Sequence, residues 1–292
     1  MKKSWTSDLW HKVFRSGNPL FLFIGINILV FLGIGVCSLV EALGFSDGSL
    51  AGYVLRWLQL PAAASAWLYR PWTLVTYMFT QQGFFHVLFN MLWLFWLGII
   101  FLDFLKKRQF TFVYLAGGIA GGLLYLLAYN VIPVFRADAF RTVMIGSSAS
   151  VSAVVFATAT LLPDYTIRML FFGNVKLKYL ALAFIVLDVL AVGGLNAGGS
   201  IAHIGGALFG FAYIKRLQNG NDWSRVFGRR EHKRKKFRVV RNEHPVREEP
   251  LVPNQEVVDR ILDKISQSGY DSLTKAEKEA LFKASKQGQN EY

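Results

Sequence analysis

Long apolar runs separated by short polar clusters dominate the pattern of this chain. Six stretches read as membrane spans: residues 20–42, 84–104, 109–131, 146–162, 176–194 and 200–216. A helix needs about 20 apolar residues to cross a bilayer. The fourth and sixth stretches fall short of that, so each is expected to end below the membrane surface, inside the bundle and beneath a water-accessible pocket. The predicted fold is therefore all-α, a polytopic bundle of six transmembrane helices.

Beyond residue 254 the apolar residues take a helical spacing among polar ones. "NQEVVDRILDKI" puts Val257, Val258, Ile261, Leu262 and Ile265 on one helical face. Ser268-Gly269 breaks that helix, and Thr274 with Glu277 makes a capping box for a second one, with Ala280, Leu281 and Ala284 turned inward. A hairpin of this size is marginal by itself, so it is expected to dock on the membrane domain, another copy or a cytosolic partner. The predicted organisation is a cytosolic N-terminal segment (1–17), a six-helix membrane domain (18–218), a basic juxtamembrane linker (219–253) and a cytosolic two-helix module (254–288).

Composition supports the membrane assignment. Of 292 residues, 53% are hydrophobic and 17% charged, with a mean hydropathy of +0.34, whereas soluble domains carry about 25% charged residues. The positive charge is segregated, and that fixes an orientation. With the N-terminus in the cytosol, the inner segments carry ten cations, namely Lys2, Lys3, Lys12, Arg15, Lys106, Lys107, Arg108, Arg168, Lys176 and Lys178. The outer loops carry four: Arg56, Arg70, Arg136 and Arg141. Both termini are thus expected inside.

Residues 215–241 hold eleven Lys or Arg and two acids. A segment facing anionic lipid is the favoured reading, and nucleic-acid binding is not expected, since a charge run without a recognisable fold supports it weakly. The basic N-terminus ahead of an apolar run is signal-like. Residues 20–42 are nevertheless too long for such a leader and lack a small-residue cleavage site, so they read as a retained span. The single cysteine, Cys37, excludes an intramolecular disulfide and reads as a small buried hydrophobe. No cluster of Cys and His suggests a metal, and no cofactor is expected. The first external loop, 43–83, is rich in Leu, Trp, Tyr and Ala, which suits a segment lying in the interface or packed on the bundle.

Against this apolar background four polar residues stand out. The second span carries His86 and Asn90, about 6 Å apart along one helical face at 1.5 Å per residue. The fourth carries Ser148 in its first turn, and the sixth carries His203 near its outer end. All three spans descend from the outside, so these residues fall at one depth. Singly, each has an ordinary explanation: an interfacial histidine, an asparagine bonding a neighbouring helix, a small serine allowing close packing. Jointly they are harder to dismiss, because polar groups facing a bundle interior are rare and costly.

The set supports acyl transfer. Ser148 would attack a carbonyl, and His203 would take its proton and pass it to the leaving amine. The free first-turn N–H at Ser148, with Asn90 and His86, would hold the oxyanion. Gly146 suits a tight turn into the helix, where a side chain would crowd the substrate. Gly206 and Gly210 form a G-x-x-x-G face one turn from His203, permitting close approach to the small-residue fourth span. The other serines of "MIGSSASVSAVV", Ser147, Ser150 and Ser152, are assigned to packing. A soluble hydrolase elbow is excluded, because it needs a strand before the serine and a glycine after it.

These motifs resemble the rhomboid family of intramembrane serine proteases: H-x-x-x-N (His86, Asn90), G-x-S (Gly146, Ser148) and A-H-x-x-G-x-x-x-G (Ala202, His203, Gly206, Gly210), in order on six spans. The likeness covers about residues 18–218. It implies that Ser148 is the nucleophile, His203 the base, and His86, Asn90 and the Ser148 backbone the oxyanion hole. Ala202, Gly146, Gly206 and Gly210 would shape the site. The implied activity is cofactor-free cleavage of membrane-anchored proteins within or beside a transmembrane segment, in a bacterial inner membrane, and the C-terminal hairpin looks like a cytosolic module of some bacterial members. The alternative is an inactive rhomboid-like protein that binds transmembrane helices. A transporter is disfavoured because no inverted repeat or broken helix pair is apparent.

This chain departs from the family at Ala149, where a glycine is usual, and at Ser152, where many members carry an aromatic stacked on the base. Arg56-Trp57 inverts the family's Trp-Arg pair. Asp188, in the fifth span, invites a Ser-His-Asp reading. The family works with a dyad, so a structural or gating hydrogen bond is the expectation for it.

Overall fold

The computed structural model describes residues 7, 10–45, 48–169, 173–194, 196–227 and 255–287. It divides into two units, Met1–Glu231 and His232–Tyr292. Lys2, Lys3, most of the basic 215–241 run and most of the expected linker (219–253) lie outside the described residues.

The first unit is a polytopic all-α membrane bundle. Its six long helices are α1 (Pro19–Ala42), α3 (Phe84–Phe104), α4 (Lys107–Val131), α5 (Ser148–Leu161), α6 (Leu177–Ala191) and α7 (Ala197–Gln218), with α2 (Leu50–Leu58) in the first loop. Four of them, α1, α3, α4 and α7, are long and apolar enough to cross a membrane. Asn18 opens α1 by accepting the Leu20 N–H through its side chain, with Pro19 at the first helical position, where its missing N–H costs nothing.

The predicted lengths need one correction. The sixth span is not short: α7 runs 22 residues and starts at Ala197. Its first turn, "AGGS", reads as loop because glycine weakens helices. Here the glycine serves packing, since a Cβ at Gly198 would stand 2.8 Å from the Tyr125 ring. The short helices are instead α5, with 14 residues, and α6, with 15. At 1.5 Å per residue α5 rises about 21 Å, well under the ~30 Å hydrocarbon thickness.

Helix α5 is the centre of the unit. Residues on all its sides are buried, from Ala149 to Ala159, so it meets protein rather than lipid. Helices α4 and α7 flank it at very close range. A Cβ on Gly121 would lie 2.6 Å from the Ala202 carbonyl oxygen and 2.7 Å from Ala149 Cβ. On α7, a Cβ at Gly206 would overlap the carbonyl oxygen of Ala149, and one at Gly210 that of Ala153. The predicted G-x-x-x-G face therefore does meet the fourth span, backbone to backbone.

The first loop packs on this bundle, burying Leu60, Ala62, Tyr77 and Met78. Its strand β1 (Leu60–Pro61) pairs antiparallel with β2 (Val143–Met144), just ahead of α5. Trp57 stacks on Trp72 at 5.7 Å, both partly exposed, as suits an interfacial segment. A hairpin of β3 (Thr166–Met169) and β4 (Gly173–Lys176) joins α5 to α6 at the opposite end.

Also at that end, Asp222 closes the bundle. It accepts from Arg108 at 2.7 Å, from Tyr213 at 3.0 Å and from the Ser224 hydroxyl at 2.6 Å. Burial pushes its carboxyl up, but the donors on Ser224, Tyr213 and Arg108 outweigh that and hold it below the ordinary value.

The second unit contains α8 (Gln255–Ser268) and α9 (Lys275–Gln287). Gly269, at φ +77°, ends α8. Thr274 and Glu277 form the reciprocal bonds of a capping box. Lys264 pairs with Glu277 at 2.9 Å, and Lys264 with Thr274 holds the Glu277 carboxyl down to about 2. Ile261 and Leu273 are buried between the helices, whereas Leu262 is exposed.

Candidate active site

Ser148 is the first residue of α5, and Ser147, the residue before it, makes no side-chain cap bond. The N–H groups of the first turn have no acceptor within the helix. The chain reaches this point through Gly146, whose φ of +117° favours glycine. Gly146 N–H donates to the Tyr77 carbonyl at 3.0 Å, which ties the turn to the first loop. A Cβ here would lie 2.8 Å from His86 Cε1. A side chain at position 146, which lines the cavity, would thus crowd His86.

His203 lies two turns into α7, and its Nε2 is 2.7 Å from Ser148 Oγ. The G-x-x-x-G contact explains the approach: with Gly206 against Ala149, the two backbones are close enough for the imidazole to reach the head of α5. Ala202, next to His203, is buried, with its carbonyl facing Gly121. His86, Asn90, Ser148 and His203 all line one cavity of about 660 Å³. The residues singled out in the sequence are thus brought together, with His86 exposed and Asn90 buried.

Two groups there could not be placed from the sequence. The first is Gln81, fully buried just before α3. Its Oε1 accepts from Asn90 Nδ2 at 3.2 Å, and its Nε2 donates to Ser147 Oγ and to Asn27 Oδ1, each at 2.8 Å. Asn27 continues the chain by donating to the Tyr114 hydroxyl at 3.1 Å. One N–H of Asn90 is therefore spent on Gln81, which aims the amide and leaves its second N–H for the cavity. Ser147 belongs to this network and is not a mere packing residue. Ser150 and Ser152 are buried in α5 as expected.

Gln81→Leu removes this support. We expect it to cost ~2 kcal/mol of stability, because Asn27, Asn90 and Ser147 all lose a buried partner. Thermal unfolding in detergent measures it; a wild-type midpoint would show that Asn90 is held by something else.

The second group is Asp188. The sequence gives no reason to place it beside His203, yet its Oδ1 is 2.7 Å from His203 Nδ1. The hydrogen bond expected of it is therefore made to the imidazole itself.

A helical membrane bundle with a serine, a histidine and an asparagine beside one cavity defines a class, and comparison with known proteins gives its family. The Rhomboid domain matches residues 69–219, just over half of the chain, and the chain belongs to the rhomboid family. Residues 251–287 match a family of unknown function (DUF6576). Over 158 residues the chain is 28% identical to RHOMBOID-like protein 12, mitochondrial, of Arabidopsis thaliana, covering 51% of this chain and 47% of the relative. It is 33% identical over 159 residues to RHOMBOID-like protein 1 of the same plant, covering 51% of this chain and 36% of the relative. The chain thus spans less than half the length of these curated relatives.

Proposed function

We propose that this protein is an intramembrane serine endopeptidase that cleaves membrane-anchored proteins in or next to their transmembrane segments. The observation that carries this reading is the 2.7 Å approach of His203 Nε2 to Ser148 Oγ, at the head of a helix too short to cross the bilayer. The hydroxyl donates to the imidazole. As Oγ bonds to the scissile carbonyl carbon, its proton passes to Nε2 and the carbonyl electron pair moves onto oxygen. The Ser148 N–H, Asn90 Nδ2 and His86 are the donors for that oxyanion, each contributing about 3 kcal/mol to the barrier. Collapse re-forms the carbonyl and breaks the C–N bond, and the amine leaves with the Nε2 proton. Water then attacks the acyl-serine, with Nε2 taking its proton and returning it to Ser148 Oγ as the new carboxyl group departs.

Orientation completes the reading. The Lys and Arg distribution supports both termini in the cytosol, with the cavity opening on the far side, and the family resemblance supports a bacterial inner membrane. The two-helix module (254–288) is then cytosolic, and the basic linker (219–253) faces anionic lipid.

A fluorophosphonate probe tests the proposal, because it reacts with an activated serine and needs no knowledge of the substrate. Labelling of the wild type that vanishes in Ser148→Ala is the expected result. A well-folded wild type that takes no label belongs with the helix-binding alternative.

A further inference from the structure

Asp188 occupies α6 three residues before its end, with a side chain 14% exposed beside a His203 side chain 23% exposed. A carboxylate in a membrane helix is costly unless something compensates it. Its ion-pair partner among the described residues is His203, at 2.7 Å. The same ring spends its other nitrogen on Ser148, also at 2.7 Å. Both ends of the imidazole are therefore committed, one to an acid on α6 and one to an alcohol on α5.

With Asp188 as a carboxylate, the chemistry of the three groups assigns the proton to one nitrogen. A carboxylate only accepts, so Nδ1 carries the hydrogen and donates it. Nε2 is then the bare nitrogen, able to accept the Ser148 proton. The opposite tautomer would set a lone pair against a negative charge and turn an N–H toward the hydroxyl it has to deprotonate. When Nε2 gains the proton the ring becomes a cation, and Asp188 is already in place against it. We propose that Asp188 is a positioning residue for His203, fixing its tautomer and orientation and balancing the imidazolium, so that the site works as a serine-histidine-aspartate chain rather than a dyad. This rests on the protease reading given above.

A purely structural role, pinning α6 to α7, is the competing account. Three variants of the full chain in detergent separate the two: Asp188→Asn, which keeps the shape and loses the charge, Asp188→Glu, which keeps the charge, and Ser148→Ala. Each is assayed by fluorophosphonate labelling rate and by kcat and KM on a quenched fluorogenic peptide containing one transmembrane segment. We expect Asp188→Asn to lower kcat and labelling rate about a hundredfold or more, with KM within about threefold and the wild-type unfolding midpoint. Asp188→Glu should recover at least about tenfold of that loss. Wild-type rates in Asp188→Asn, or a loss that tracks the unfolding midpoint and is not recovered by Glu, would overturn the role of Asp188 while leaving the protease intact. Absence of labelling and cleavage in the wild type would instead sink the protease reading, and this proposal with it. Should the Asn variant fail to fold, nitrogen NMR of the histidines in the wild type, with His203 assigned by its loss in His203→Ala, still decides. A neutral ring protonated on Nε2 contradicts the proposal, and one protonated on Nδ1 supports it.

Discussion

His203→Ala is expected to lower turnover by about four orders of magnitude and to leave the bundle folded. The histidine is the group that touches Ser148 Oγ, at 2.7 Å, so its removal leaves an alcohol with no acceptor for its proton. Truncation is tolerable for the fold because the ring borders the cavity instead of filling the core. Residues that act as a unit are not additive, since each is useless without the other. The double variant Ser148→Ala/His203→Ala should therefore be no slower than either single one. Turnover numbers for the wild type, the two singles and the double, measured on one substrate, test this. Losses that multiply would mean that the two side chains work separately.

Gly206→Val should produce the largest loss of stability. Its Cβ would overlap the carbonyl oxygen of Ala149, and neither backbone can rotate aside as a flexible side chain could. Helix α7 would have to retreat from α5, at a cost of about 3 kcal/mol or more. The retreat would also draw His203 away from Ser148, because His203 lies one turn before Gly206 on the same helix. Stability and fluorophosphonate labelling are thus expected to fall together. Gly33→Val in α1 is the control: nothing lies within 4 Å of a Cβ there, and its unfolding midpoint should match the wild type. An undisturbed Gly206→Val protein would mean that the helices are held further apart than described here.

What could be read from the sequence follows a physical division. Hydropathy locates helices, and the cost of polar groups in hydrocarbon singles out the side chains that need a reason to be there. His86, Asn90, Ser148 and His203 were legible on those grounds. The neighbour of His203 was not, because which residue of α6 faces α7 depends on how the two helices pack and not on either pattern. Asp188 could be flagged as expensive but not placed.

Gln81 escaped for a different reason. It sits in the loop before α3, where a glutamine costs nothing until the loop folds inward and buries it. Its nearness to Asn90, nine residues on, was the available hint. The run "GGIAGG" in α4 was a clearer signal passed over, since Gly117, Gly118, Gly121 and Gly122 are all buried there. The start of α7 misled the reading because the same glycines that suggest a loop also allow Tyr125 to pack against the helix.

The close contact between α5 and α7 also bears on how the molecule is made. Ser148 and His203 are 55 residues apart, and the glycines of α7 that let the two helices close on each other, Gly206 and Gly210, lie beyond the histidine. A ribosome delivers the alcohol first. Until α7 has been threaded into the bilayer and seated, the nascent polypeptide holds Ser148 without its imidazole partner, so the pairing of the two side chains is among the last events of its assembly.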